Sequence, residues 1–244
     1  MSIERVALVT GGSRGIGAAI ARRLAADGLS VALTYSASPG RADEVVREIE
    51  RAGGRALALR ADVAEPGAVA AAVERTAADF GSLDVLVSNA GIADAGSVEA
   101  LGPERIDRMI DVNVRGVLHT IRAALPHLGQ GGRIVTVGSM IAERVPFAGG
   151  AVYAMTKAAV AGLVRGLARD LGPRGVTVNN IQPGPTANDS MPADGPAADA
   201  MLPWLALSRI ASPDEIAGLV SYLAGPESGY ITGASLTIDG GFTA

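Results

Sequence analysis

The 244-residue chain has no cysteine and a net charge of −4, with 21 basic against 25 acidic side chains. This excludes disulfides, thiolate catalysis and cysteine-ligated metals, and the basic footprint of a nucleic-acid binder is absent. At 48 % hydrophobic residues, with 32 glycines and only 3 % aromatics, the length fits one large α/β domain over residues 1–244, its core built of Ala, Val, Leu and Ile. No apolar run approaches the ~18 residues of a membrane span. Residues 1–10 carry no leader pattern, and His119 and His127 are too few for a histidine-built metal site. The expectation is a cytoplasmic protein without nucleic-acid or membrane partners.

Short β-branched runs alternate with longer Ala/Leu/Arg/Glu stretches of helical spacing. Strands are expected at Arg5–Thr10, Val31–Tyr35, Ala56–Arg60, Asp84–Ser88, Arg133–Gly138, Val176–Ile181 and Ser235–Asp239. Helices are expected at Gly15–Asp27, Arg41–Ala52, Pro66–Phe80, Pro103–Leu125, Ala151–Leu171 and Pro213–Ala224. Such alternation means a doubly wound, seven-stranded parallel sheet with helices on both faces, a Rossmann fold. Only Pro183–Ser208, rich in Pro, Gly, Ala and Asp, breaks the rhythm. Its interspersed Met191, Met201 and Trp204 favour a substrate lid, about 185–208, over a disordered excursion.

After the first strand, Thr10-Gly11-Gly12-Ser13-Arg14-Gly15-Ile16-Gly17 leads directly into a helix. Glycines allow close backbone approach to a pyrophosphate, and the helix start offers free N–H groups and a positive dipole end. The spacing is G-x-x-x-G-x-G, not the more common G-x-G-x-x-G. At the end of the second strand, where NAD-binding folds place a carboxylate, this chain has Tyr35, Ser36 and Ser38. With no acid to repel a 2′-phosphate, and with Arg14 and more weakly Arg41 as cations, the pattern favours NADP(H).

Tyr153 and Lys157 stand four residues apart on a predicted helix and share one face. An ammonium beside a phenol in a desolvated cleft is expected to lower the phenol's pKa toward neutrality. The pair alone equally describes an ordinary helix surface. Ser139 follows the fifth strand and Asn89-Ala90-Gly91 the fourth, both at the sheet edge where open α/β sheets bind ligands. Ser139 also suits a turn or cap. Asn113 interrupts a predicted helix, which points to a buried or functional side chain.

Together these residues resemble the short-chain dehydrogenase/reductase family over essentially the whole chain. The resemblance rests on Thr10–Gly17, Asp62-Val63, Asn89-Ala90-Gly91, Asn113, Ser139, Tyr153 to Lys157, Pro183-Gly184, and Thr232-Gly233 with Asp239-Gly240-Gly241. It implies Tyr153 as the acid protonating a carbonyl oxygen and Ser139 as the group orienting that oxygen. It implies that Lys157 holds the nicotinamide ribose and lowers the Tyr153 pKa, and that Asn113 holds a relay water. Asp62 and Val63 would contact adenine, and Pro183, Gly184 and Thr186 the nicotinamide. Ser88 and Asn188 depart from the family pattern, which usually has Asn and Thr there.

The chain is similar to 3-oxoacyl-carrier-protein reductases. It also resembles a subgroup that includes a bacterial protein described as binding cyclic di-GMP. Hence three readings: an NADPH-dependent carbonyl reductase, a nucleotide-binding regulator, or a 3-oxoacyl-carrier-protein or polyketide-type ketoreductase. No Lys or Arg occurs between Gly175 and Ser208, whereas Asp189, Asp194 and Asp199 do. A polyanion site should gather cations, so the lid suits a small neutral carbonyl compound contacted by Met191 and Trp204. Arg144 is the cation expected near the mouth. Family members are usually homotetramers, and the apolar faces of Pro103–Leu125 and Ala151–Leu171 agree with that. His119 and His127 read as structural or solvent-facing.

Overall fold

A computed structural model describes residues 5–244, so residues 1–4, part of the stretch read as lacking a leader, lie outside the described residues. Seven parallel strands form one sheet in the order β3-β2-β1-β4-β5-β6-β7. They are β1 Val6–Val9, β2 Ser30–Tyr35, β3 Ala56–Arg60, β4 Val85–Ser88, β5 Arg133–Val137, β6 Thr177–Pro183 and β7 Ser235–Ile238. The central strands are buried along their whole length, as strands covered on both faces must be. The order reverses between β1 and β4, which opens a crevice at the carboxyl ends of those strands.

Helices α1 (Gly15–Ala26), α2 (Pro39–Arg51) and α8 (Pro213–Ala224) cover one face, packing Ile20, Leu24, Val45, Ile216 and Val220 onto Val9, Val31 and Val135. On the other face, α3 (Pro66–Phe80), α5 (Gly116–Ala124) and α6 (Ala151–Leu171) set Val73, Ile121, Val160 and Val164 against Leu8, Leu86 and Ile134. A capping box starts α8, with the Ser212 hydroxyl accepting from the Glu215 N–H and the Glu215 carboxylate accepting from the Ser212 N–H.

Beyond one-residue shifts at other ends, three expected elements differ. Helix α2 begins at Pro39 rather than Arg41, because proline tolerates the first helical position. The expected single helix Pro103–Leu125 is α4 (Pro103–Ile110), a π-helical turn at Asp111–Arg115, and α5. Asn113 sits in that turn, and such single-turn widenings gather at functional sites. Strand β6 runs on to Pro183.

The 185–208 stretch is built of the short helix α7 (Pro196–Asp199), a 3₁₀ turn at Leu202–Trp204 and bridges Thr186–Ala211 and Asn188–Met191. Its second half packs Ala198 and Leu205 into an apolar cluster with Met140, Ile141, Ile210 and Phe242. Residues Ala151–Arg174, which are α6 and the turn after it, are long and apolar enough to cross a membrane by length and composition, with a mean hydropathy of 1.2. That corrects the expectation that no stretch reaches such a length. Here the helix packs its inner stripe on the sheet and leaves Met155 exposed on the other side.

Candidate active site

The crevice between β1 and β4 is the start of a groove of about 760 Å³ running along the carboxyl edge of the sheet. At one end lies the glycine loop. Gly11, with φ +66°, turns the chain out of β1 while its N–H donates to Thr34 Oγ1 at 3.2 Å. The Thr10 hydroxyl accepts from the N–H groups of Asn89 and Ala90, and Asn89 Nδ2 donates to the carbonyls of Thr10 and Gly11 at 2.9 and 3.1 Å. Gly17 lies so close beneath that a β-carbon there would fall 2.2 Å from the Gly11 carbonyl oxygen. Helix α1 thus starts against the loop with no side-chain cap and no acid in its first turn. Its first N–H groups and positive dipole end face the groove, a fit for a pyrophosphate.

Further along, Tyr35 and Ser36 end β2, and Asp62 and Val63 follow β3. Asp62 accepts from the Ala64 N–H at 3.0 Å and from Arg108 Nη2 at 2.7 Å. Although burial works the other way, these bonds hold its carboxyl below the ordinary carboxylate range.

Beyond β5, Ser139 opens the 3₁₀ turn Met140–Ala142, its hydroxyl accepting from the Ile141 N–H at 3.3 Å. It also hydrogen-bonds to the Tyr153 phenol, so it is both a turn cap and a groove residue. Tyr153 projects from the first turn of α6, and Lys157, one turn on, is 5 % exposed. Lys157 Nζ donates to the Val137 carbonyl at 3.0 Å and lies 5.7 Å from the centroid of the Tyr153 ring. Burial brings the Lys157 pKa down to about 8. The phenol does not follow the expected direction. Burial raises its pKa, and the Ser139 hydrogen bond offsets this only in part. The ammonium donates to the Val137 carbonyl, 5.7 Å from the ring centroid, and burial dominates the phenol's shift in the nucleotide-free protein.

Of the residues singled out from sequence, Gly11, Ser13, Arg14, Gly15, Ile16, Gly17, Asn89, Ala90 and Gly91 line this groove. Ser139, Tyr153, Lys157, Pro183, Gly184 and Thr186 line it too. Asn113 lies behind it, 1 % exposed. Its amide donates to the Ile92 carbonyl and to Thr156 Oγ1 and accepts from the Ile92 N–H, clamping the strand-4 loop to the π-helical turn and α6. Asn188, in place of the usual Thr, turns inward on its own loop, bonding the Thr186 carbonyl and the N–H groups of Ser190 and Met191.

The cation and aromatic expected at the mouth are elsewhere. Arg144 Nη1 donates to the Phe242 carbonyl at 2.5 Å, and its guanidinium lies over the rings of Trp204 and Phe242, at 5.7 and 5.8 Å. Aromatic faces and a carbonyl satisfy that guanidinium away from the groove. Met191 lines the groove and Trp204 does not. Two charged groups at the groove were not expected from the sequence, Arg108 and the ion-pairing part of Asp189. Their partners lie 46 and 148 residues away, and no local pattern marks them.

The profile of the enoyl-(acyl carrier protein) reductase family matches residues 11–243. A crystal structure of a short-chain dehydrogenase from Burkholderia cenocepacia J2315, in complex with NADP, is 54 % identical and covers 100 % of both chains with a TM-score of 0.97. The chain belongs to the short-chain dehydrogenase/reductase family. Within the family, it is 43 % identical over 240 residues to the cyclic-di-GMP-binding biofilm dispersal mediator protein of Escherichia coli K12, covering 98 % of each chain. It is 38 % identical over 244 residues to a 3-oxoacyl-acyl-carrier-protein reductase of Staphylococcus aureus, covering 99 % of each.

Proposed function

We propose that this family member is an NADPH-dependent oxidoreductase that reduces a small, uncharged ketone or aldehyde to the alcohol. The observation that carries the reading is the meeting of Tyr153, Ser139 and Lys157 at the end of β5, at the far end of the groove from the glycine cradle.

The glycine loop and the start of α1 would hold the pyrophosphate, Asp62 and Val63 the adenine, and Lys157 the nicotinamide ribose. When bound, the nicotinamide supplies the hydride. The chain does the rest. Ser139 and Tyr153 present two hydroxyls to one carbonyl oxygen, which fixes its position and polarises it. Tyr153, kept protonated by burial, releases its proton to the oxygen as negative charge develops there. Lys157 stays cationic below about pH 8 and favours the phenolate left behind. Asn113 fixes the loop bearing Gly91 against α6 and acts as a positioning residue. Residues 185–208 would form the lid, and the exposed sides of α5 and α6, with Leu118 and Met155, would meet other copies in a homotetramer.

A cyclic-di-GMP-binding role is the second reading, favoured by the 43 % identical relative. Against it stands the charge of the groove. Among its described lining residues, Arg14 and Arg108 lie at the end that would take the adenosine of NADPH, and Lys157 donates to the Val137 carbonyl, so no further cation lines the substrate end for a second anion. The same count weighs against an acyl phosphopantetheine chain as substrate. The test is NADPH consumption with a panel of ketones, diketones, aldehydes and acyl thioesters, with calorimetry of cyclic di-GMP alongside. Turnover of neutral carbonyls without cyclic di-GMP binding supports the reading. Micromolar cyclic di-GMP binding without turnover contradicts it.

A further inference from the structure

Asp189 follows Asn188 in the stretch after β6 and reaches to the adenosine side of the groove. Its Oδ2 accepts from Arg41 Nη1 and lies 3.7 Å from Arg14 Nη1. Arg14 belongs to the glycine loop and Arg41 to the first turn of α2. One carboxylate oxygen therefore gathers two guanidiniums from two different helix starts, neither with an acid in its first turn. All three side chains are at least half exposed, so charge and not burial holds them together. The arginines keep the Asp189 carboxyl below the ordinary carboxylate range.

Two guanidiniums converging on one anionic oxygen make an anion site, and a phosphate monoester, with more charge and three oxygens, is a stronger occupant than a carboxylate. Arg14 and Ser36 flank the groove where the adenosine ribose would lie. We propose that Asp189 is an internal competitor for the phosphate on that ribose. A nucleotide bearing a 2′-phosphate displaces the carboxylate from Arg14 and Arg41 and so frees the stretch from Asn188 to Met191, which lines the groove toward the nicotinamide end. Asp189 is then a specificity residue. It opposes 2′-phosphorylated nucleotides, is indifferent to those without the phosphate, and couples one end of the groove to the wall of the other. The inference rests on the NADP(H) reading above.

The test is calorimetric titration of the whole chain with adenosine 2′,5′-bisphosphate and with 5′-AMP, neither of which carries a nicotinamide. The wild type, Asp189→Asn and Asp189→Ala are compared at low and high salt. Exposed ion pairs are weak and screened, so the expected gain is modest. Both variants bind the bisphosphate about three- to tenfold more tightly at low salt, less so at high salt, with 5′-AMP unchanged. A preference for the bisphosphate equal in variants and wild type overturns the competitor while leaving the NADP(H) reading standing. Equal wild-type affinity for the two nucleotides overturns both.

Discussion

Lys157 spans from the second turn of α6 to the end of β5, where its ammonium donates to the Val137 carbonyl at 3.0 Å. That bond fixes where the helix bearing Tyr153 sits over the carboxyl edge of the sheet. It also keeps a cation in a place where burial alone would reject it, and its pKa of about 8 records the conflict. A fold optimised for stability would put an apolar side chain there.

Lys157→Met should therefore stabilise the nucleotide-free protein while abolishing turnover. The folded pKa lies below the unfolded one, so the unfolded chain holds more proton between about pH 8 and 10.5 and stability rises with pH across that window. Below pH 8 the cost is full, on the order of 3 kcal/mol. Loss of the bond to Val137 returns about 1 kcal/mol of that. The variant should melt about 4–8 °C higher at pH 7, an advantage that fades toward pH 10.5. Thermal melts of both proteins across that range check this.

The pH profile of reduction should have one limb. Tyr153, with its pKa raised, keeps its proton throughout the accessible range. Lys157 loses its charge above about pH 8. So kcat/KM for carbonyl reduction, which reports the free enzyme, should be level below pH 8 and fall above it. A steady-state series from pH 6 to about 10 measures the limb.

Gly17→Ala should break nucleotide binding before it breaks the fold. The new β-carbon would lie 2.2 Å from the Gly11 carbonyl oxygen and 2.4 Å from Asn89 Nδ2, so the glycine loop must shift. Overpacking of this kind costs about 1–3 kcal/mol. Calorimetric titration with NADPH should show a loss of at least tenfold (~1.4 kcal/mol), with the circular dichroism of the helices retained.

At the start of α8, Ser212→Ala should cost about 1 kcal/mol by removing half of the α8 capping box. The melting temperature should fall by about 2–4 °C with turnover intact. The Glu215 pKa, held down to about 2 by Arg209 and the Ser212 N–H, adds a pH signature. Its contribution is present above the unfolded carboxyl value of 4.5 and is lost as pH falls toward about 2. Melts of Glu215→Gln against wild type should therefore converge at acid pH.

The sheet was legible because buried parallel strands must be short, β-branched and nearly all apolar, and the runs at Val85–Ser88 and Arg133–Val137 are so. The glycine cradle was legible because only glycine fits beneath the Gly11 carbonyl. Periodicity cannot register a π-helical turn, so one long helix was expected where Asn113 divides two. The direction of the Tyr153 pKa shift was not legible either. Four-residue spacing places the lysine on the same face but does not say which oxygen its ammonium finds, and the Val137 carbonyl is 20 residues away. Arg144 and Asp189 show the same limit, since a charged side chain's role depends on partners far along the chain.

The most direct test of the whole account is turnover by Tyr153→Phe with a ketone the wild type reduces, alongside NADPH titration of both proteins. The substitution removes one hydroxyl and leaves the ring packed. The account predicts unchanged NADPH binding with turnover lowered at least a hundredfold, the lower range of a single general acid. A variant that reduces the ketone at the wild-type rate would contradict the assignment of Tyr153 as the proton donor.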